Sequence, residues 1–209
     1  NWDAGDIMYK DLNGDGKIDN GGNKYDDMGD MKKIGNNTPR YLFGLDLNAD
    51  YKGFDFRAFF QGVMKRDYWQ GSAYFWGATS LWHSTGFVEH ADYFRAEASN
   101  DLPANLNAYY PRPVFDSSKN RQKQTAYLQS AAYIRLKNVQ LGYTLPANLT
   151  HKFYVSKLRV FVSGENLWTG TSLANMFDPE TIGGGDDTDK NGNAYPLSKT
   201  ISFGISVTL

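Results

Sequence analysis

Residues 201–209 read ISFGISVTL, and every odd-numbered position in this stretch is apolar while every even-numbered one is glycine, serine or threonine. Successive side chains of a β-strand point to opposite faces of its sheet, so the pattern predicts a strand with one apolar and one polar face. The alternation continues to Leu209, the last residue of the sequence. We therefore expect the chain to end in an amphipathic strand.

The same alternation occurs in four further segments, at residues 41–51, 54–61, 134–145 and 158–165. Lys52-Gly53 separates the first two and predicts a two-residue hairpin turn. In the third, the apolar positions change parity at Lys137-Asn138, which predicts a β-bulge. We expect about five antiparallel strands, close in length to the ~9–11 residues that cross a bilayer at a tilt and longer than the ~5–6 residues usual in globular proteins.

The connections between these strands alternate between short and long. Lys52-Gly53 and the segment after Pro146 are short, whereas residues 66–130 and 169–196 form long connections. Short turns at one end and long loops at the other are typical of an outer-membrane β-barrel. The predicted strand ends are also rich in Tyr and Trp, as an interfacial aromatic band would require. These residues are Tyr41, Tyr51, Tyr68, Trp69, Tyr133, Tyr143 and Trp168.

Composition excludes several other classes of protein. The 209 residues include 22 Lys+Arg and 23 Asp+Glu, and a chain so close to neutral has no electrostatic preference for nucleic acid. There is no cysteine, so disulfides and thiolate sites are excluded. The hydrophobic fraction of 41% argues against simple disorder.

Short motifs from Gly5 to Thr200 follow one another in an order that resembles the SusC/RagA family, the TonB-linked outer-membrane transporters of Bacteroidetes. The motifs are GDI at 5–7, DLNGDGKID at 11–19, IGNNTPRY at 34–41, YKGFD at 51–55, FFQG at 59–62, AYYPR at 108–112, YIRLKNVQLGY at 133–143, SGENL at 163–167 and YPLSKT at 195–200. Together they span nearly the whole chain.

The resemblance implies an all-β fold. Residues 38–209 would supply the C-terminal antiparallel strands of a transmembrane barrel of about 22 strands, with long extracellular loops at 66–130 and 169–196. Residues 1–37 would form a further extracellular loop. The plug domain and the segment that contacts TonB would lie before Asn1, in a longer polypeptide of which this chain is a fragment.

The function implied by the resemblance is TonB-dependent import of oligosaccharides or glycans across the bacterial outer membrane, with a SusD-like surface lipoprotein as partner. Import of peptides is one alternative. Another is a secreted, calcium-dependent, carbohydrate-binding β-sandwich, which would bury the apolar faces of its strands. No catalytic constellation is present in the sequence, so we do not expect an enzyme.

The segment DLNGDGKID at 11–19 carries the clearest chemical signal. Oxygen atoms at positions 1, 3, 5, 7 and 9 can surround Ca²⁺, as in the first part of an EF-hand loop. The predicted ligands are Asp11, Asn13, Asp15, the Lys17 carbonyl and Asp19. The bidentate Glu expected at position 12 is replaced by Gly22, so a carboxylate from Asp26, Asp27 or Asp30 would have to complete the site. A metal-free Asx-turn loop is the alternative.

Two other features of the long loops suggest ligand contact. Aromatic and histidine side chains are candidates for contact with a substrate or a lid protein; they are Trp69, Tyr74, Trp76, Trp82 and His83. The alternative is that the aromatic residues of segment 66–115 pack this loop against itself and against a partner lid. The stretch DTDKNG at 187–192 repeats the acidic spacing, but three glycines precede it and favour a mobile loop over a metal site.

Overall fold

The computed structural model describes residues 2–77, 86–99, 101–183 and 194–209. Its strands are β1 (Arg40–Tyr51), β2 (Phe54–Lys65), β3 (Asp67–Trp69), β4 (Leu128–Ser130), β5 (Tyr133–Thr144), β6 (Lys157–Thr171) and β7 (Thr200–Thr208). The helices are short, α1 (Ala73–Trp76) and α2 (Ala147–Thr150), with 3₁₀ turns at Val88–Ala91, Lys119–Arg121 and His151–Phe153. No helix in the described ranges is long and apolar enough to cross a membrane.

The described residues divide into two compact units. One consists of residues 2–35 and 69–128 within the described ranges, and contains most of the short helical turns. The other consists of residues 36–68, 129–183 and 194–209 and contains the main sheet. This sheet has five strands in the order β1-β2-β5-β6-β7, and each neighbouring pair is antiparallel. The prediction of about five antiparallel strands is confirmed.

The hairpin and the bulge are confirmed at the predicted residues. Lys52 and Gly53 have φ values of 46° and 86°, and two left-handed residues are what a two-residue type I′ turn requires. In the pairing of β2 with β5, Phe59 faces Asn138 and Phe60 faces Leu136, so Lys137 is the extra residue. The bulge restores the apolar side chains of β5 to a single face of the sheet.

The register brings the apolar positions of all five strands onto one face. Leu45 pairs with Phe60, Val162 pairs with Phe203 and Val160 pairs with Ile205. Several of these side chains are open to solvent, with exposed fractions of 48% for Leu45, 83% for Phe203 and 71% for Ile205. The sheet therefore presents an apolar face that is not covered as it would be in the core of a sandwich.

The residues of the predicted aromatic band differ in their exposure. Tyr41, Tyr51 and Trp168 are exposed near strand ends. Tyr68, Trp69 and Tyr133 are buried, so the prediction that they belong to an exposed band is wrong. Tyr133 pairs with Val63, beyond the bulge, on the face opposite the apolar one. The presence of aromatic residues at strand ends does not reveal which of them are exposed and which are buried.

Candidate functional site

The second face of the sheet is polar and carries ion pairs between strands. Arg57 on β2 binds Asp46 on β1 through Nη2 at 2.6 Å. Arg159 on β6 donates from Nε to Asp55 on β2 at 2.8 Å, and its Nη2 also donates to Gln140 on β5 at 3.2 Å. Arg57 and Asp46 are on neighbouring strands, whereas Arg159 reaches Asp55 across β5. All four side chains share one face because every second residue of a strand points to the same side of the sheet.

A cavity of about 510 Å³ opens on this polar face at the end of the sheet that contains the Lys52-Gly53 turn. Its lining is strongly polar and includes both members of the Arg159–Asp55 pair. The lining residues are Asp50, Tyr51, Lys52, Gly53, Phe54, Asp55, Gln140, Thr144, Lys157 and Arg159. Such a surface suits contact with water and polar solutes.

The other end of the polar face holds a buried ion cluster centred on Arg135 of β5. Its guanidinium donates to both carboxylate oxygens of Asp178 at 2.8 Å, to Glu180 at 2.5 Å and to the Thr169 hydroxyl at 2.8 Å. Lys137, the bulge residue, binds Glu180 at 3.0 Å. The Arg135 side chain is only 4% exposed, so the cluster is largely shielded from water.

This cluster fixes the segment that follows β6 onto the polar face. Arg135 faces Gln61 on β2 and Thr169 on β6, both on that side of the sheet, so Asp178 and Glu180 must approach from the same side. The segment also buries the side chains of Leu173, Phe177 and Ile182. No pattern in the sequence predicts the cluster, although the predicted bulge at Lys137 marks one of its members.

The predicted calcium loop is closed by hydrogen bonds within the protein. The Asp11 carboxylate accepts from the backbone N–H of Gly14 at 2.5 Å and of Gly16 at 2.9 Å. Asp15 accepts from the N–H of Lys17 at 2.8 Å, and Asp19 accepts from that of Gly21 at 2.8 Å. Asn13 accepts from the N–H of Asp15 at 3.1 Å. These bonds are Asx-type turns, which the metal-free alternative also predicts.

Of the three later carboxylates, Asp30 is the one that reaches this loop. It accepts from the backbone N–H of Leu12 at 2.6 Å and of Asp19 at 2.9 Å, and these two hydrogen bonds lower its pKa. Across the described ranges, no three His, Cys, Asp or Glu side chains form a group that could hold a metal ion. The oxygen donors of the loop are of the type that Ca²⁺ prefers. Calcium binding by Asp11, Asn13, Asp15, Lys17 and Asp19 stays a prediction.

The aromatic residues predicted to contact substrate or a lid protein do not form one exposed platform. Trp69 is buried and lies 5.8 Å from Trp76, measured between ring centroids. Tyr74 is 40% exposed and stacks on Phe87 at 5.7 Å. Trp82 and His83 lie outside the described residues, as does the 187–192 stretch. Of the described candidates, Tyr74 is the one most open to a ligand.

Phe75, which the sequence did not single out, is at the centre of an aromatic core in the first unit. It is fully buried, and its ring lies 5.4 Å from Tyr110 and 6.2 Å from Tyr127. Burial raises the pKa of both tyrosines, so they remain protonated, and the Tyr127 hydroxyl donates to the Tyr109 carbonyl at 2.5 Å. Phe75, Tyr110 and Tyr127 therefore pack against one another within the unit instead of forming an exposed binding surface.

Asp6 ties distant parts of the same unit together. Its carboxylate, 3% exposed, accepts from Arg112 at 2.9 Å, from Lys119 at 2.5 Å and from the Asn120 amide at 2.9 Å. Burial alone would raise the pKa of Asp6, but the hydrogen bonds from these three side chains outweigh it and hold the pKa well below its usual range. Asp6 is therefore ionised at neutral pH and joins residues more than a hundred positions apart.

The curated proteins that are similar to this chain are TonB-dependent receptors. No family model matches the chain. It is 28% identical over 212 residues to TonB-dependent receptor P3 of Formosa agariphila, a match that covers 98% of this chain and 19% of that protein. TonB-dependent receptor P26 of the same organism is also 28% identical, with 98% of this chain and 20% of the relative covered. The chain thus spans about a fifth of the length of these relatives.

Solved structures lead to the same group. The RagAB peptide importer in its open-open state matches with a TM-score of 0.55 and 26% identity, covering 82% of this chain and 17% of the other. The closed-closed state gives a TM-score of 0.57 and 25% identity, covering 85% of this chain and 18% of the other. Both the sequence and the fold are therefore similar to parts of much longer proteins.

Proposed function

We propose that this chain forms part of the wall of an outer-membrane importer. It belongs with the TonB-dependent receptors of the outer membrane. The apolar face of its sheet would lie against lipid, and the polar face would line the pore. The observation that carries this proposal is the separation of the two faces across five strands. Phe203 and Ile205 on β7 are highly exposed. Ser202 and Ser206 alternate with them on the opposite face.

An apolar surface of this extent is costly in water. Monomeric soluble proteins rarely expose contiguous apolar patches of more than a few hundred Å². Contact with lipid tails removes that cost, while the ion pairs Arg57–Asp46 and Arg159–Asp55 need a wet surface on the other side. The secreted β-sandwich alternative needs Leu45, Phe203 and Ile205 buried in a core, and their exposure does not support it.

The outermost strands of the sheet indicate that more strands complete the wall. In the described part of the chain, β1 pairs with β2 alone and β7 pairs with β6 alone. Unpaired backbone N–H and C=O groups cost several kcal/mol each in lipid, so a spanning sheet must close on itself. We propose that other parts of the full polypeptide pair with both edges, giving the barrel of about 22 strands known for outer-membrane transporters.

The cargo of the importer is proposed to be an oligosaccharide, because the sequence resembles the SusC/RagA family. Energy would be supplied through TonB, and a SusD-like lipoprotein would lie over the outer loops. Peptides are the second candidate class, because the matching solved structures are of a peptide importer. A panel of labelled oligosaccharides and peptides, offered to cells with and without the gene, would separate the two. Gene-dependent uptake of peptides alone would refute the oligosaccharide assignment.

Site-directed spin labelling tests the orientation of the sheet. Single cysteines replace Phe203 and Ile205 on one face, and Ser202 and Ser206 on the other, in the full-length protein reconstituted in liposomes. Nitroxides at Phe203 and Ile205 are expected to collide with oxygen, which partitions into lipid. Labels at Ser202 and Ser206 are expected to collide with a water-soluble nickel chelate. Equal access to the nickel chelate at all four positions would refute the proposal.

A further inference from the structure

The connection between β5 and β6 is ordered but leaves large apolar side chains uncovered. Hydrogen bonds hold it at both ends, from Leu149 N to the Pro146 carbonyl at 3.0 Å and from Val155 N to the Thr150 carbonyl at 3.2 Å. Phe153 is nevertheless 78% exposed and Tyr154 is 92% exposed. Leu149, one helical turn before Phe153, is 48% exposed.

The backbone at Tyr154 makes this exposure more unusual. Its φ of 61° is in the left-handed region, which a bulky residue seldom occupies without a reason. It ends the 3₁₀ turn His151–Phe153, and its N–H donates to the His151 carbonyl at 3.2 Å. Asparagine or glycine would adopt this conformation more readily. The apolar ring of an exposed tyrosine is not stabilised by water, so contact of the ring with another phase or molecule would explain its presence.

The position of the β5–β6 connection indicates what Phe153 and Tyr154 contact. It joins the ends of β5 and β6 at the same end of the sheet as the Lys52-Gly53 turn, because Thr144 N donates to the Gly53 carbonyl at 2.7 Å. The apolar face continues to this end, where the rings of Phe54 and Tyr143 are 4.5 Å apart. The polar cavity at the same end is lined by other residues, and the connection contributes none of them. The exposed side chains of Phe153 and Tyr154 are thus outside the lining of the polar cavity.

The chemistry of the segment matches a lipid–water interface. Tyr places an apolar ring in the acyl region and its hydroxyl in the headgroup layer, and aromatic residues are enriched at this depth. Lys152 precedes the aromatic pair and is exposed, and a lysine can extend its ammonium toward lipid phosphates while its stem remains among the tails. Leu149 and Phe153 are four residues apart and so lie on one side of the helical turn.

We propose that residues 149–154 form an interfacial anchor, in which Leu149, Phe153 and Tyr154 insert into the headgroup and upper acyl region of the leaflet at this end of the sheet. The proposal rests on the proposed function, because it requires the apolar face of the sheet to meet lipid. The occupant of this surface is thus the phospholipid bilayer itself. The anchor would fix how deep the end of the hairpin β5–β6 lies in the membrane.

Power-saturation spectroscopy of nitroxide labels tests the anchor in the full-length protein. The variants are Phe153→Cys and Tyr154→Cys, each of which leaves the other aromatic residue in place, in liposomes of phosphatidylethanolamine and phosphatidylglycerol. Asn148→Cys, an exposed polar position of the same connection, is the matched control. Phe203→Cys reports separately on the apolar face of the sheet.

The labels at Phe153 and Tyr154 are expected to show an oxygen-to-nickel collision ratio severalfold above that at Asn148. Ratios equal to that at Asn148, with the label at Phe203 still in lipid, would overturn the anchor alone. Protection of both labels from oxygen and nickel alike would also overturn it, since a protein would then cover the segment. A water-exposed label at Phe203 would overturn the proposed function and the anchor together.

Discussion

Replacement of Arg135 by alanine should release the segment that follows β6 from the polar face of the sheet. Arg135 is the hub of the ion cluster, because it contacts Asp178, Glu180 and Thr169 at once. Without it, the Asp178 carboxylate, 13% exposed, has lost its ionic partner in the cluster, while Glu180 keeps Lys137 at 3.0 Å. In the variant, the mostly buried negative charge of Asp178 is therefore no longer compensated by Arg135.

The size of the effect follows from this burial. Breaking a buried ion pair by removing one partner costs about 3–5 kcal/mol. We take the lower end, about 3 kcal/mol, because Glu180 is 22% exposed and remains paired with Lys137. Since 1.4 kcal/mol corresponds to a factor of ten, local opening of the segment should become about a hundredfold more frequent.

Hydrogen exchange measured by mass spectrometry, on the full-length protein in detergent micelles, reports this opening directly. The backbone amides of residues 172–183 should exchange about a hundredfold faster in Arg135→Ala. Arg57→Ala is the matched control, because the Arg57–Asp46 pair lies on the same face but its side chains are 57% and 38% exposed. An exposed pair contributes about 0–1 kcal/mol, so the control should change exchange less than about fivefold.

A second variant separates lost charge pairing from lost packing. When Arg135→Met is combined with Asp178→Asn and Glu180→Gln, no uncompensated carboxylate remains in the cluster. Exchange in residues 172–183 should then return most of the way to that of the original protein, because neutral replacement of a buried ion pair is often tolerated. If Arg135→Ala accelerates exchange no more than Arg57→Ala does, the assignment of the cluster as the attachment of this segment is refuted.

Three further predictions concern other parts of the chain. Gly53→Ala should destabilise the full-length protein by about 1 kcal/mol or more, because the φ of Gly53 is 86° and a Cβ there would lie 2.8 Å from the Thr144 carbonyl oxygen. The measurement is the urea midpoint of heat-modifiable gel migration, which should fall. Gly86→Ala is the control and should be neutral, because a Cβ at Gly86 meets nothing within 4 Å. The low pKa of Asp6 means that its stabilising contribution is complete above the ordinary pKa of an aspartate, 3.8, and is lost as pH falls below that value. The protection factors of amides in the first unit, which correct exchange for its intrinsic pH dependence, should therefore fall below that pH, and Asp6→Asn should abolish this fall. Calorimetric titration with Ca²⁺ should give a Kd on the order of 10⁻⁴–10⁻³ M that is lost in the double variant Asp11→Asn, Asp15→Asn; absence of heat at millimolar Ca²⁺ would contradict the calcium prediction.

The strands were predictable because their periodicity is a direct product of backbone geometry. A period of two places the apolar residues of 201–209 on one face whatever surrounds them. Lys52-Gly53 was predictable for a similar reason, since both residues must adopt positive φ and the sequence offers a glycine at the second position. These signals are local, so no knowledge of distant contacts was needed.

The ion cluster and the aromatic core were not predictable in this way. Asp178 and Glu180 reach Arg135 across more than forty positions of sequence, and no short-range pattern specifies which carboxylate meets which guanidinium. Phe75 and Tyr74 are adjacent aromatic residues, yet one is fully buried and the other is 40% exposed. That difference is decided by how the loop folds, which residue type alone does not encode.

The bulge at Lys137 links the two faces of the sheet. Without the bulge, with Lys137 paired regularly opposite Phe60, Leu136 would pair with Gln61, and Leu136 and Ile134 would project onto the polar face, because a shift of one residue exchanges the two sides of a strand. With it, Leu136 pairs with Phe60 on the apolar side, and the polar side of β5 continues at Arg135. The residue left over is a lysine whose ammonium reaches Glu180 at 3.0 Å. The bulge thus keeps the proposed lipid-facing surface continuous, and its extra residue supplies a positive charge to the cluster that holds residues 172–183 over the proposed pore side.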